Sequence, residues 1–372
     1  MLTPRVSDVT GIIDKIAPFA YAEEWDNVGL QVGDAAAPVK RIMVALDAGR
    51  DPVEAAVSAG CQLLLTHHPL IFTPLKKIVI DDPVGSLIFL AVRHDLAILS
   101  LHTNYDIAPG GMNFLLAERL GVSSHKPLKA VGREELVKLS VFVPEGYEEQ
   151  VLESLFRFSG VIGKYNDCSF RTCGIGTFRP LEGARPFTGK IGSRESVSEN
   201  RIEVLLCKED INAALNVMKK AHPYEEPAFD IYPLLNKGNR LGLGRIGELP
   251  EPTTLAEFAA DVKQRLGARN LRFVGEPGRI VRKVALCGGS GAGLLQEAHW
   301  QGADLLITGD VKYHEARSAE ALGLSLIDAG HFATERPMIR EFTGRLDEEL
   351  RNRGFTAEII PYEGEREPFS FI

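Results

Sequence analysis

Two short segments of this chain each place a carboxylate four residues after a histidine, behind an apolar run. The first is Leu96-Ala97-Ile98-Leu99-Ser100-Leu101-His102-Thr103-Asn104-Tyr105-Asp106. The second is Leu324-Ser325-Leu326-Ile327-Asp328-Ala329-Gly330-His331-Phe332-Ala333-Thr334-Glu335. Imidazole and carboxylate are ligands that divalent transition metals take. One such pair would mean little. Two in matching contexts suggest a duplicated half-site at the junction of two halves. A third segment, Thr66-His67-His68-Pro69, sets two imidazoles side by side after Leu63-Leu64-Leu65. Adjacent strand residues face opposite sides. At a strand end the chain can turn, Pro69 keeps His68 extended, and the two rings can then reach two different ions. An isolated His-His pair is more often one buried and one solvated ring, so the reading rests on the company these two keep.

The roles divide by chemistry. Asp106 reads as a terminal ligand. Glu335 reads as a bridge, because a carboxylate has two oxygens and paired ions in hydrolases sit roughly 3.5–4 Å apart. Its plain alternative is a first-turn acid of a helix beginning near Thr334, with Pro337 in the first turn. His102 is open between ligating, orienting a ligand and serving the substrate. In Thr308-Gly309-Asp310-Val311-Lys312-Tyr313-His314, Asp310 and His314 suit acid–base work, or Asp310 simply caps a helix. The turn Cys287-Gly288-Gly289-Ser290-Gly291-Ala292-Gly293 could offer backbone N–H groups to a phosphate, or be only a tight turn. Trp25 and Lys312 complete the candidates for substrate contact, the indole against a base and the ammonium near an anion.

Most of these residues follow strand-like runs, which points to the elements that must carry them. Ile42–Asp47, a helical stretch through Ala55 and Ala56, and Gly60–Thr66 parallel Lys283–Cys287, a helical stretch from Leu294 to His299, and Gly302–Thr308. Both read strand, helix, Gly-X-X-Leu-Leu-(Leu/Ile)-Thr strand, the pattern of βαβ units and a largely parallel sheet. Ligands of such sheets lie beyond the carboxyl ends of strands. The halves are residues 1–125 and 240–372. Between them, 126–239 changes character. Leu136–Val143 alternates like a strand, and Tyr147 to Phe158 has helical spacing. A polar, Gly-rich middle runs from Gly160 to Asn200. Arg201–Cys207 is a strand, Asp210 to Lys220 a helix, and Pro227 to Leu234 a strand. Strand-helix-strand twice over predicts an inserted ferredoxin-like α+β domain, with Lys237–Arg245 as the return linker. The fold class expected is therefore α/β, duplicated halves forming a metal-binding core around an insert.

Composition sets the outer limits. The chain has 372 residues, 45% apolar and 25% charged, which is ordinary for a folded protein of two or three domains. A net charge of −8 without a long basic run argues against nucleic acid as the main partner. The N-terminal residues lack a signal-peptide pattern and no apolar run reaches 18 residues, so a cytoplasmic protein away from membranes is expected. Five scattered cysteines make neither a disulfide framework nor a zinc ribbon, and Cys168 and Cys173 read as unremarkable thiols.

Taken together, Trp25-Asp26-Asn27-Val28-Gly29-Leu30, Thr66-His67-His68-Pro69, His102–Asp106, Thr308-Gly309-Asp310 and Gly330–Glu335 make the chain resemble the GTP cyclohydrolase 1 type 2 homologues, also called NGG-interacting-factor-like proteins. The likeness covers both halves. It implies a dinuclear centre with His67, His68, Asp106, His331 and Glu335 as ligands, and a ring-like homohexamer enclosing a cavity. His222-Pro223-Tyr224-Glu225-Glu226-Pro227 makes the insert resemble the domain shared by PII and divalent-cation-tolerance proteins. Ligands without cysteine admit two divalent ions of zinc first, then iron, manganese, cobalt or nickel. The expected activity is hydrolysis of a nucleotide or related phosphorylated small molecule by a metal-bound hydroxide, with His102 or His314 protonating the leaving group. No Gly-X-Ser-X-Gly elbow offers another nucleophile. The alternative is a metal-loaded regulatory or scaffold protein whose PII-like insert senses a ligand or mediates assembly.

Overall fold

The computed structural model describes residues 2–160, 162 and 164–370. The chain forms two compact units. One runs to Val131 and resumes at Leu241, and the other is Gly132–Arg240.

In the first unit two sheets repeat one plan. In the first sheet Arg41–Ala45, Leu63–Thr66 and Ala97–Ser100 lie parallel and adjacent, with Gly29–Val32 antiparallel on the outer edge. In the second, Ile280–Leu286, Leu305–Thr308 and Ser325–Asp328 take the same places, with Arg272–Val274 as the antiparallel edge. Every residue of the inner strands Leu63–Thr66 and Leu305–Thr308 is buried, which is why these runs are continuous rather than alternating. The halves differ on the far side. Glu358–Pro361 adds parallel to Arg41–Ala45, whereas Arg240–Thr254 adds antiparallel to Ile280–Leu286.

The halves exchange helices. Met338, Phe342, Leu346 and Leu350, from helix Pro337–Asn352, join the core under the first sheet. Leu116, Ala117 and Leu120, from helix Met112–Leu120, join the core under the second. Each half thus buries a helix of the other, at about 1.5–3 kcal/mol per large apolar side chain, and the site-bearing strand ends are held face to face.

The second unit is an antiparallel sheet in the order Ser169–Phe178, Glu195–Cys207, Leu136–Pro144, Phe229–Pro233. Helices Glu148–Phe156 and Ile211–Ala221 connect its strands. This βαββαβ order is the ferredoxin-like arrangement, with its own core of Val137, Leu139, Val141, Leu152, Ile202 and Leu206.

Two stretches differ from the sequence reading. The polar middle contains strand Ser169–Phe178 and the first half of Glu195–Cys207. Almost every residue of Ser169–Phe178 is exposed, so no apolar period marks it, and backbone pairing alone defines it. Residues Arg240–Arg245, read as linker, begin the long strand Arg240–Thr254. Gly242 lies against Lys129 there, too close for a Cβ, so the glycines that suggest a linker serve close strand approach. No helix among the described residues is long and apolar enough to cross a membrane.

Candidate metal centre

His67 and His68 follow Leu63–Thr66, His102 follows Ala97–Ser100, and His331 follows Ser325–Asp328. His102 is the N-cap of the short helix Thr103–Ile107, which carries Asp106 on its first turn. His331 opens the short helix His331–Glu335, so the helical segment starts before Thr334 and breaks ahead of Pro337. A four-residue spacing puts each carboxylate one turn from its histidine and on the same face.

All four rings are fixed through Nδ1. That of His67 donates to the carbonyl oxygen of Leu101 at 2.9 Å. That of His68 donates to Asp47 Oδ1 at 2.8 Å, that of His102 to Asp26 Oδ1 at 2.9 Å, and that of His331 to Asp310 Oδ2 at 2.6 Å. Carbonyl and carboxylate oxygens only accept, so in the neutral rings the proton sits on Nδ1 and Nε2 presents a lone pair. The Nε2 atoms of His68 and His331 lie 3.2 Å apart, and Glu335 Oε2 is 3.1 Å from the first and 3.0 Å from the second. His67 Nε2 lies 3.7 Å from Asp106 Oδ1 and 3.8 Å from Glu335 Oε1. Glu335 thus turns one oxygen to each group. The His102 ring stands 5.1 Å from that of His67 and 5.5 Å from that of His68.

The donor set fits a cation. His67 Nε2 and Asp106 Oδ1 are buried without a hydrogen-bond partner, and an unpartnered buried polar atom is costly. Among the described residues two sets of atoms are close enough to hold an ion, one from His67, His68 and His102, the other from His68, His331 and Glu335. Burial and the Glu335 carboxylate push Asp106 up to about 7. Burial would also raise Glu335, but the imidazoles of His67, His331 and His68 outweigh it and hold Glu335 well below the carboxylate range. For His68, burial is outweighed by Asp47 and Glu335, which raise it to about 10. The bond to Glu335, with help from Asp310, overcomes burial and raises His331 to about 9. These shifts give a pH prediction. Pairs made by raised imidazoles stabilise the metal-free chain fully below about pH 6.5, and that contribution is lost as pH climbs through about 9 to 10. A cation must displace those protons. Zinc affinity should therefore rise between about pH 6 and pH 9, and calorimetric heats should scale with the ionisation enthalpy of the buffer. Heats independent of buffer would contradict the assignment.

Some supporting residues carry no signal of their own in the sequence. Asp26 accepts from the backbone N–H of Thr103 at 3.0 Å and from its hydroxyl at 2.5 Å, besides binding His102. It thereby fixes both the ring and the helix that bears Asp106. Asp47, after the first strand of its half, and Asp310, after the second strand of the other, hold His68 and His331 in the same way. Asp310 does so with a left-handed φ of +53° and does not cap a helix, since the N-cap of Tyr313–Leu322 is Lys312. Such a backbone in a non-glycine residue marks a constrained position. Asn113 accepts from the amide of Gly288 and donates to the Asp106 carbonyl oxygen, tying the glycine turn to the ligand helix.

The remaining candidates spread out. The Gly289 amide donates to Thr334 and the Gly291 amide to Thr308, so with Gly288 these donors are engaged by protein and not turned to a phosphate. Gly289 has φ +59°, and a Cβ there would overlap the Glu335 carboxylate. Its glycine is required by the closeness of that side chain. Trp25 is 57% exposed, with its ring 5.9 Å from His102 and 5.7 Å from Phe72. Lys312, the N-cap of helix Tyr313–Leu322, and His314 in its first turn are exposed, and the His314 ring packs on Tyr313 at 5.3 Å. Neither lines the cavity of about 820 Å³ onto which His68 and His331 open.

A duplicated α/β core with a histidine–carboxylate cluster able to hold metal between its halves defines the class. The chain belongs to the Duf34/NIF3 (NGG1p interacting factor 3) family, whose sequence profile matches residues 4–368. A Bacillus subtilis relative named "GTP cyclohydrolase 1 type 2 homolog" is 41% identical over 362 residues, 97% of each chain. A Halalkalibacterium halodurans relative of the same name is 40% identical over 365 residues, 98% of each. The crystal structure of a Bacillus cereus protein related to NIF3 superposes with a TM-score of 0.86 at 39% identity, covering 100% of both chains.

Proposed function

We propose that this chain is a metal-dependent hydrolase of nucleotide-like phosphorylated substrates, as the relatives' shared name suggests. The observation that carries the proposal is the convergence of imidazole Nε2 atoms on Glu335 and Asp106, with His67 Nε2 and Asp106 Oδ1 left without protein partners. His67, Asp106 and one Glu335 oxygen would hold one ion, and His68, His331 and the other Glu335 oxygen a second. Bound there, divalent ions supply a nucleophile at neutral pH by lowering the pKa of water from 15.7 to about 7. The protein's own part is orientation and proton movement. The Leu101 carbonyl oxygen, Asp47 and Asp310 hold three rings in one tautomer. The fourth ring, His102, is held at Nδ1 by Asp26 and presents Nε2 to the cluster. That lets His102 take a proton at Nε2 and return it to the leaving oxygen. His314, exposed away from the cluster, is not given that role. The cavity beside His68 and His331 is of the size that small-molecule ligands fill.

Metal-reconstituted protein should hydrolyse GTP or simple phosphoesters. His102→Asn should keep its ions and lose about 10²–10⁴-fold in turnover, with the pH profile changed. If the parent turns over none of these compounds, the hydrolase assignment fails and a regulatory role takes its place. If His102→Asn loses an ion, His102 is a ligand and not the proton carrier.

A further inference from the structure

The last stretch of the chain crosses the mouth of the centre. After strand Glu358–Pro361 the Tyr362 amide donates to the Val44 carbonyl oxygen at 2.8 Å, and Arg340 Nε donates to Glu363 at 3.0 Å. Glu365 then accepts from the backbone amides of Leu46 at 2.8 Å and Asp47 at 2.7 Å. This latch sits on the segment whose Asp47 holds His68. From there Arg366–Ser370 continues over the second half and forms one wall of the 820 Å³ cavity, opposite Asn270–Arg272 and beside His331.

Charged groups of both signs line that cavity. Three of its acids are paired with imidazole or guanidinium side chains, Asp47 with His68, Asp310 with His331 and Asp328 with Arg272, while Glu367 accepts from the Phe369 amide and keeps its charge. Arg366 lines the same space, is exposed, and makes no ion pair or hydrogen bond among the described residues. Around it the wall is apolar, with Leu271, Val311, Phe332 and Phe369. A guanidinium is the side chain best shaped to take a phosphate through two parallel hydrogen bonds.

We propose that Arg366, presented by the latched C-terminal segment, is the anion-selecting residue of this site, binding the phosphate of a substrate whose flat or apolar body lies against Phe332 and Phe369. The proposal rests on the hydrolase reading for its choice of phosphate and names the residue that would impose that choice.

The test is calorimetric binding to the full-length, metal-loaded chain, using GTP and guanosine as a pair that differs only in phosphate. The parent should bind GTP more tightly than guanosine. Arg366→Gln should weaken GTP by about tenfold or more, consistent with losing hydrogen bonds to a charged group. It should leave guanosine affinity and metal content unchanged, and Arg366→Lys should recover part of the loss. Equal weakening of both ligands, unchanged GTP affinity in Arg366→Gln, or a parent that prefers neither ligand would overturn the proposal. GTP binding that depends on Arg366 without any turnover leaves this wall standing and removes the hydrolase. Turnover whose KM ignores Arg366 does the reverse.

Discussion

Glu335→Ala should empty the centre. The side chain is 3% exposed and its two oxygens face His67 on one side and His68 with His331 on the other. Removing it takes one ligand from each proposed ion at once. It also leaves the two Nε2 atoms of His68 and His331 facing each other at 3.2 Å without the carboxylate between them. Those rings can no longer both carry protons in the metal-free chain, so breaking the buried pair should cost about 3–5 kcal/mol. Elemental analysis should show most of the metal gone, hydrolysis should fall beyond detection, and the melting temperature should drop. Glu335→Gln separates charge from shape. It keeps the volume and one carbonyl oxygen, so it should fold better than the alanine variant and still lose metal. Full metal content in either variant would remove Glu335 from the bridge.

His67→Ala is the second large effect. His67 is fully buried, its Nδ1 proton is engaged by the Leu101 carbonyl oxygen, and its Nε2 has no protein partner. A ring held at one nitrogen and bare at the other, in a place water does not reach, has little structural purpose without a ligand. The alanine variant leaves a cavity and an unpaired carbonyl oxygen, so some stability is lost whatever the function. The informative comparison is therefore with His67→Gln, whose amide can still donate to Leu101. Both variants should lose the inner ion and at least about 10⁴-fold in turnover, more than removal of a general acid costs. Activity like the parent's in His67→Gln would show that the inner group is structural.

How far the sequence reveals this site depends on which residues speak locally. His67, His68, Asp106, His331 and Glu335 stand out because strand ends and i, i+4 spacing are local patterns, and the fold brings these five together. The residues that aim them are silent. Asp47 is 21 positions from His68, and Asp26 is 76 from His102. An aspartate after a strand or beside a tryptophan carries no mark of its partner. The glycine turn shows the converse. Its composition suggests a phosphate cradle, yet the neighbours of Gly289 show that the small residue makes room for Glu335. Lys312 and His314 have suitable chemistry at a suitable place in the repeat, but a helix start turns them outward. The C-terminal wall escapes sequence reading because Glu363–Ser370 has no period and no motif, and its meaning lies in the backbone amides that Glu365 reaches. In the fold, buried strands declare themselves by apolar runs, while exposed Ser169–Phe178 does not.

The central claim is that the two halves exist to hold metal between them. Elemental analysis of the purified full-length chain, after gentle removal of loosely bound ions, tests it most directly. The account predicts about two divalent ions per parent chain, falling towards none in Glu335→Ala while a surface variant such as His314→Ala keeps both. A parent chain that holds no divalent metal after incubation with zinc, iron or manganese would contradict it.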